Sequence, residues 1–374
     1  MHCHVVNLQP YLGGAEVYTN FFVRALLDCG ATVTLHAHPQ APHWGTLAAA
    51  GARVVPAAAD TAIVPRLGER AWIVTHAPVS AAFVDAVAGR HLLTGFCHMP
   101  LAGRRAGLLA RYDLVYAVSR YVLSTLPDAG VAAAYPEPLL GVAAFERFAA
   151  GARDAQREGL VYSWDTRKFR DRVLSWLDPL RALAQPARAF ARGPGLTLGI
   201  VSAIGPIKQF DLLFAHIAPA IAALPGARLE IFGNGGYRSV TDLKRALRPL
   251  GARARFWGRR SHPEAIYPQL DYLMSGLPEK EALGLNIIEA QMQGTPVLAV
   301  DAAPFTETVA DGRTGYLYRD PRTDGGADFA RVLARAAAGP RPDPRAAPDH
   351  LARFSAAAFN ARVARLIADA AARM

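Results

Sequence analysis

The chain has 374 residues, the length of two ordinary domains. Hydrophobic residues make up 52% and charged residues 19%, a balance that excludes an intrinsically disordered chain. The formal charge is +10, and three scattered cysteines (Cys3, Cys29, Cys97) exclude a disulfide scaffold and any CxxC metal or redox motif.

In chain order, the apolar run Val5, Val6, Leu8 meets the turn Gly13-Gly14. A helix is predicted from about Ala15 to Cys29, with Val17, Phe21, Phe22, Ala25 and Leu26 at helical spacing and Gly30 as its stop. Ala31–His38 alternates apolar and polar residues, the period of a half-buried strand. Further strands are predicted at Arg53–Val55, Trp72–Thr75, Leu92–Cys97 and Leu114–Val118, with helical stretches between them. The pattern restarts with strands at Leu196–Ile204, Ala227–Phe232, Arg253–Trp257, Leu270–Met274 and Pro296–Val300. Helices are predicted at Phe210–Ala223, Tyr237–Leu247, Asn286–Gln293 and, at the end, Phe354–Ala371. Such alternation predicts an α/β fold with two Rossmann-like halves, each a parallel sheet covered on both faces by helices.

Between the halves, Val142–Gly195 shows no clear strand. Within it Phe169, Val173, Trp176, Leu177 and Leu180 form an apolar stripe beside Arg167, Lys168, Arg170 and Arg172. Two readings stand: a basic amphipathic helix touching anionic lipid or acceptor, or a helix packed on one domain with a solvated basic face. No apolar run is long enough for a membrane span, and Met1-His2-Cys3-His4 does not open a secretory signal, so a cytoplasmic protein is expected. The basic excess points to polyanionic ligands or an acidic membrane surface, and no nucleic-acid partner is expected.

The chemistry concentrates in Pro278–Val300. Glu281 and Glu289 are separated by seven residues, and Glu289 lies among Ile287, Ile288, Ala290 and Met292. A carboxylate there loses hydration unless a fixed partner compensates, and the paired hydroxyls of a sugar or ribose are such a partner. The alternative is a solvated Glu on the polar side of a short helix. Gly284 permits close backbone approach, and the helix start at Leu285–Ile287 offers N–H groups to an anionic phosphate.

This segment resembles the signature of retaining glycosyltransferases of family 4, which have the two-domain GT-B fold of Rossmann-like domains facing across a cleft. The resemblance continues through Pro304–Val309 and Asp311–Leu317, and through Gly13-Gly14-Ala15-Glu16, a turn that in this family approaches the donor phosphates. It implies that Glu281 contacts the donor sugar and Glu289 the nucleotide ribose, with Ala282, Leu283, Gly284 and Leu285 beside them. Lys208, in Ile207-Lys208-Gln209-Phe210-Asp211, stands where the family has Lys-Gly-x-Asp and would neutralise the diphosphate. The chain departs from the family at Ala203, where an Arg is usual, so that Arg238 or Arg259 would have to substitute. Gly233-Asn234-Gly235 resembles the family's turn at the nucleotide base. His98 matches a family His facing the donor sugar; His76 ends a strand on the same expected side, and Glu16 and Ser119 are further candidates.

The expected catalytic residues are therefore Glu281, His98 and Lys208. The expected donor contacts are Gly13, Gly14, Lys208, Gly233, Asn234, Gly235, Glu281–Leu285 and Glu289. The resemblance implies residues 1–190 as an acceptor domain, with 142–190 an atypical connector and 352–374 packing back on it. Residues 191–351 would bind the nucleotide sugar. No metal or cofactor is expected, since no Asp-x-Asp, HExxH or P-loop occurs; the co-substrate is a UDP- or GDP-linked sugar. The acceptor would be a glycan or lipid-linked hydroxyl in bacterial cell-surface polysaccharide or lipopolysaccharide synthesis, with peripheral contact to anionic membrane. The alternatives are a GT-B nucleotide-sugar epimerase or hydrolase, or a degenerate sugar-nucleotide-binding subunit.

Overall fold

The structure is a computed structural model that describes residues 1–11, 13–142, 161–164, 169–177, 190–260 and 262–374. Its compact units are Met1–Ala143 with Ala352–Met374, and Ala144–Leu351. Each unit holds one six-stranded parallel sheet. The first comprises β1 (His2–Asn7), β2 (Thr32–Ala37), β3 (Arg53–Pro56), β4 (Trp72–Thr75), β5 (Leu92–Cys97) and β6 (Leu114–Ala117), in spatial order β3-β2-β1-β4-β5-β6. The second comprises β7 (Thr197–Val201), β8 (Arg228–Phe232), β9 (Ala254–Phe256), β10 (Tyr272–Met274), β11 (Val297–Val300) and β12 (Gly315–Tyr318), in order β12-β11-β10-β7-β8-β9. The two orders are the same winding read from opposite edges. Each reverses direction beside its first strand, at β1/β4 and at β7/β10, and such switch points open a crevice at the strands' C-terminal ends.

The predicted strands form, β4 and β5 with the expected ends, β3 longer by Pro56 and the others with one or both ends trimmed by one to three residues, and β12 adds an edge that the hydrophobic pattern did not mark. The alternation of Ala31–His38 does not produce a half-buried strand. From Val33 to Ala37, β2 is buried on both faces, because helices cover both sides of a parallel sheet. Its polar residues are absorbed internally: His36 Nε2 lies 3.0 Å from His4 Nδ1 on β1, with the rings stacked at 5.3 Å.

The last helix, Ala356–Arg373, belongs to the first unit. Ser355 caps it by accepting from the Ala358 amide at 3.1 Å, and Phe359, Val363, Leu366 and Ala370 bury one stripe. Phe359 meets Tyr18 edge-on at 5.7 Å, and Arg365 pairs with Glu137 at 2.7 Å. Of the expected connector, most residues lie outside the described ones, and the described residues 161–164 belong to the second unit. There Val161 and Ser163 exchange backbone hydrogen bonds with Gly235, at 3.0 and 2.8 Å.

Arg167, Lys168 and Leu180 of the amphipathic stretch lie outside the described residues. Phe169–Trp176 is a helix, but its apolar residues do not pack as a core face: Phe169 is 73% and Trp176 72% exposed, while Asp171 is buried. Among the described residues no helix is long and apolar enough to cross a membrane.

Candidate active site

In the second unit three of the expected residues converge at the β7/β10 switch point. Lys208 stands on the loop between β7 and the Phe210–Ala223 helix, its carbonyl accepting from the Leu277 amide at 3.1 Å. Gly276 makes this possible, because a Cβ there would fall 2.0 Å from the Lys208 carbonyl oxygen. The ammonium of Lys208 pairs with Glu281 Oε2, and the other oxygen of Glu281 accepts from the Ala282 amide at 3.1 Å. Both side chains are mostly buried, at 19% and 11% exposed, so the pair is held in place by the fold.

Glu289 sits on the helix Leu285–Met292, whose start is anchored by Asn286 Nδ2 donating to the Val201 carbonyl at 3.2 Å. Gly284 begins it at φ +84°, a left-handed turn suited to glycine. Burial pushes the Glu289 carboxyl above its ordinary pKa; the Tyr267 hydroxyl, donating to Oε2 at 2.7 Å, and the Lys208 charge pull it back. Glu289 is thus neither a solvated surface residue nor unpartnered. Lys208 bridges the two carboxylates, in contact with one and within electrostatic reach of the other.

Tyr267 is the residue the sequence reading missed. It lies 22 positions before Glu289, is fully buried, and its carbonyl accepts from Thr295 Oγ1 at 2.5 Å. A buried Tyr next to a strand reads as core, and only its hydroxyl partner distinguishes it. Gln209 is the second. It adopts φ +51°, ψ +36° at the start of the Phe210–Ala223 helix, a conformation costly for any side chain but glycine.

Other expected residues of this unit are engaged by their own chain. Gly233 and Gly235 are required for backbone packing, since a Cβ on either would lie 1.9 Å from the carbonyl oxygen of Ser202 or Ile204. The amide of Gly235 is taken by Val161, and the Asn234 carbonyl accepts from the Ile204 amide at 2.8 Å. This turn is therefore closed by its own chain. Leu283 is buried, and Ala282 spends its amide on Glu281. The Arg238 side chain is 95% exposed and lies 3.7 Å from Asp242, and Arg259 is exposed.

In the first unit Gly13 and Gly14 start the Gly14–Asp28 helix, and nothing lies within 4 Å of a Cβ at Gly14. The Glu16 carboxylate accepts from the Gly13 amide at 2.9 Å and from Asn7 at 3.4 Å, capping its own helix. Ser119 likewise caps Arg120–Thr125, accepting from the Val122 amide at 3.0 Å.

His98 and His76 end β5 and β4 and meet at 3.2 Å between His98 Nε2 and His76 Nδ1. Phe96 stacks on both rings, and Tyr18 meets His98 edge-on at 5.2 Å. Burial lowers the pKa of His98 to about 4 and that of His76 well below the ordinary value, so both are neutral near pH 7. They border a cavity of about 360 Å³.

Residues 195–337 match the family model described as Glycosyl transferases group 1. The D-inositol 3-phosphate glycosyltransferase of Mycobacterium tuberculosis is 34% identical over 167 residues, 42% of this chain and 34% of that protein. The chain thus aligns with about a third of the length of the curated relatives it matches. Anabaena HepE, solved with UDP-glucose, is similar with a TM-score of 0.68 at 16% identity, over 99% of this chain and 100% of HepE. Sucrose-phosphate synthase of Thermosynechococcus elongatus is similar with a TM-score of 0.67 at 16% identity, over 100% of both chains. At these identities the likeness is one of fold. The chain therefore carries a Glycosyl transferases group 1 domain over residues 195–337 and has the α/β fold of the GT-B glycosyltransferases.

Proposed function

We propose that this protein is a retaining, metal-independent glycosyltransferase that moves a sugar from a UDP- or GDP-linked donor to an acceptor hydroxyl. What carries the reading is the Lys208–Glu281–Glu289 cluster at the β7/β10 switch point, inside the segment that matches the group 1 family. Glu281, steadied by Lys208 and the Ala282 amide, orients sugar hydroxyls. Glu289, aligned by Tyr267, receives the ribose. Lys208 and the start of the Leu285–Met292 helix stabilise the charge that collects on the diphosphate as the bond between anomeric carbon and phosphate oxygen breaks. The acceptor oxygen bonds to that carbon on the same face, and its proton passes to the departing phosphate. The first unit receives the acceptor, with His98 neutral at working pH and therefore available to hydrogen bond rather than to repel a cation.

A thermal-shift screen of UDP- and GDP-sugars tests the donor. At 100 times its dissociation constant, a bound donor adds about 2.7 kcal/mol to stability. Lys208→Ala should lower turnover by about 10²- to 10³-fold, as loss of one fixed charge-stabilising group does, and Glu281→Ala should do likewise. Full turnover in both variants rejects the site, and loss of turnover with chelator rejects metal independence. Ala203 favours a second reading, a sugar-nucleotide-binding subunit without turnover: donor-induced stabilisation with no transfer to any acceptor would select it. A role in cell-surface polysaccharide or glycoconjugate assembly, with Phe169–Trp176 touching anionic membrane, completes the proposal.

A further inference from the structure

The two histidines at the ends of β4 and β5 have four ring nitrogens, and these meet different surroundings. His98 Nε2 and His76 Nδ1 face each other at 3.2 Å. His76 Nε2 is sealed from solvent and has no hydrogen-bond partner. His98 Nδ1 is neither bonded nor sealed, and His98 lines the cavity at the strand ends. His76 is held firmly: the residue is 3% exposed, its ring stacks on Phe96 at 4.4 Å, and its amide donates to the Val6 carbonyl of β1 at 3.0 Å. The polar groups nearby are spent elsewhere. Thr75 Oγ1 donates to the Tyr112 hydroxyl at 3.2 Å and Cys97 Sγ to the Met99 carbonyl at 3.1 Å. The Asp60 carboxylate, within electrostatic reach of Tyr112, accepts from Ser80 and Thr61.

Both rings are neutral near pH 7, so each carries one proton, and one nitrogen of the 3.2 Å contact must hold it. If His98 Nε2–H donates, both rings take the Nε2–H form that a histidine side chain favours in water. If His76 Nδ1–H donates, both must take the less favoured form. The sealed nitrogen of His76 sides with the first arrangement. Besides Phe96, the rings around His76 are Phe22 at 5.2 Å and Tyr18 at 6.2 Å, and an aromatic face accepts weakly from an N–H but repels a lone pair. We infer that His76 is a positioning residue: it accepts from His98 Nε2–H, holds His98 in that tautomer and leaves a bare Nδ1 lone pair for the substrate. Resting on the glycosyltransferase reading, this makes His98 an acceptor for the proton of a sugar hydroxyl and not a donor to its oxygen.

The test labels the histidines of the full-length chain with nitrogen-15 and reads their ring nitrogens by NMR at pH 7, with His98→Asn assigning the His98 signals. His98 should show a protonated Nε2 and a bare Nδ1; a protonated Nδ1 overturns the inference. His76→Phe fills the same space without an acceptor, and His98 should then populate both tautomers. His76→Asn, whose Oδ1 can stand where Nδ1 stood, should restore the single one. A His98 tautomer unchanged in His76→Phe overturns the positioning role. With UDP-glucose and GDP-mannose as the donors assayed, His76→Phe should lower kcat by about tenfold, the worth of one hydrogen bond, and leave donor KM unchanged. His76→Asn should recover most of that loss, and equal losses in the two variants would make His76 a packing residue. Failure of wild type to turn over any UDP- or GDP-sugar would strike the glycosyltransferase reading instead and leave the tautomer result standing.

Discussion

At the residue scale, the candidate site is governed by where three charges settle. Lys208 and Glu281 are both mostly buried, so removing one leaves the other uncompensated. Glu281→Ala should therefore lower stability by about 3 kcal/mol, and Glu281→Gln by less because its amide retains hydrogen bonding. Denaturant midpoints on the two variants check this. Tyr267→Phe deletes a single hydroxyl; since that hydroxyl lowers the Glu289 pKa, its loss should raise that pKa further. The acid limb of the pH–rate profile should then move to higher pH, with donor KM rising by about tenfold. An unchanged acid limb would mean that Tyr267 only fills space. Gln209 stores strain: at φ +51° a glycine is more comfortable, so Gln209→Gly should stabilise the fold by about 1 kcal/mol in urea unfolding.

At the scale of elements, the strands and helices were legible because burial on a parallel sheet imposes apolar runs, and helix faces impose a repeat of 3.6. The error at Ala31–His38 shows the limit. Alternation suggests one wet face, but Thr34 and His36 are buried: the β1/β2 register sets Thr34 opposite His4, and His36 reaches His4 diagonally on the same face. Burial, with neighbouring His and Arg charges, lowers both histidines to about 4. The unfolded chain, with its histidines near 6.5, binds more protons than the folded one between pH 6.5 and 4. Stability should therefore hold above pH 6.5 and fall as pH drops through this window. A His4→Leu/His36→Leu variant, compared with wild type by unfolding at pH 7 and pH 5, should show a smaller loss. Gly235 teaches the same lesson about motifs: its glycine is demanded by the Ile204 carbonyl at 1.9 Å from a Cβ. Gly235→Ala should cost about 1–3 kcal/mol whether or not a base binds nearby.

At the scale of the whole molecule, the +10 charge and the exposed Phe169 and Trp176 belong together in the proposal of membrane contact. Phe169→Ser/Trp176→Ser should reduce co-sedimentation with vesicles of anionic lipid, more at low salt than at high, and leave the melting temperature unchanged because both rings are already in water. Equal sedimentation of variant and wild type counts against that contact. The sequence by itself determined the α/β class, the restart of the strand–helix pattern in a second half, and the Glu281–Glu289 segment with its family likeness. All of these are carried by short-range spacing and residue type. Only the tertiary structure decided that Lys208 locks onto Glu281, that Tyr267 aligns Glu289, that Gly233 and Gly235 serve backbone packing, and that Val161 and Ser163 bond to Gly235. Those outcomes depend on partners 22 to 74 residues away, and local pattern carries no information about which distant atoms will compete for the same carboxylate or carbonyl.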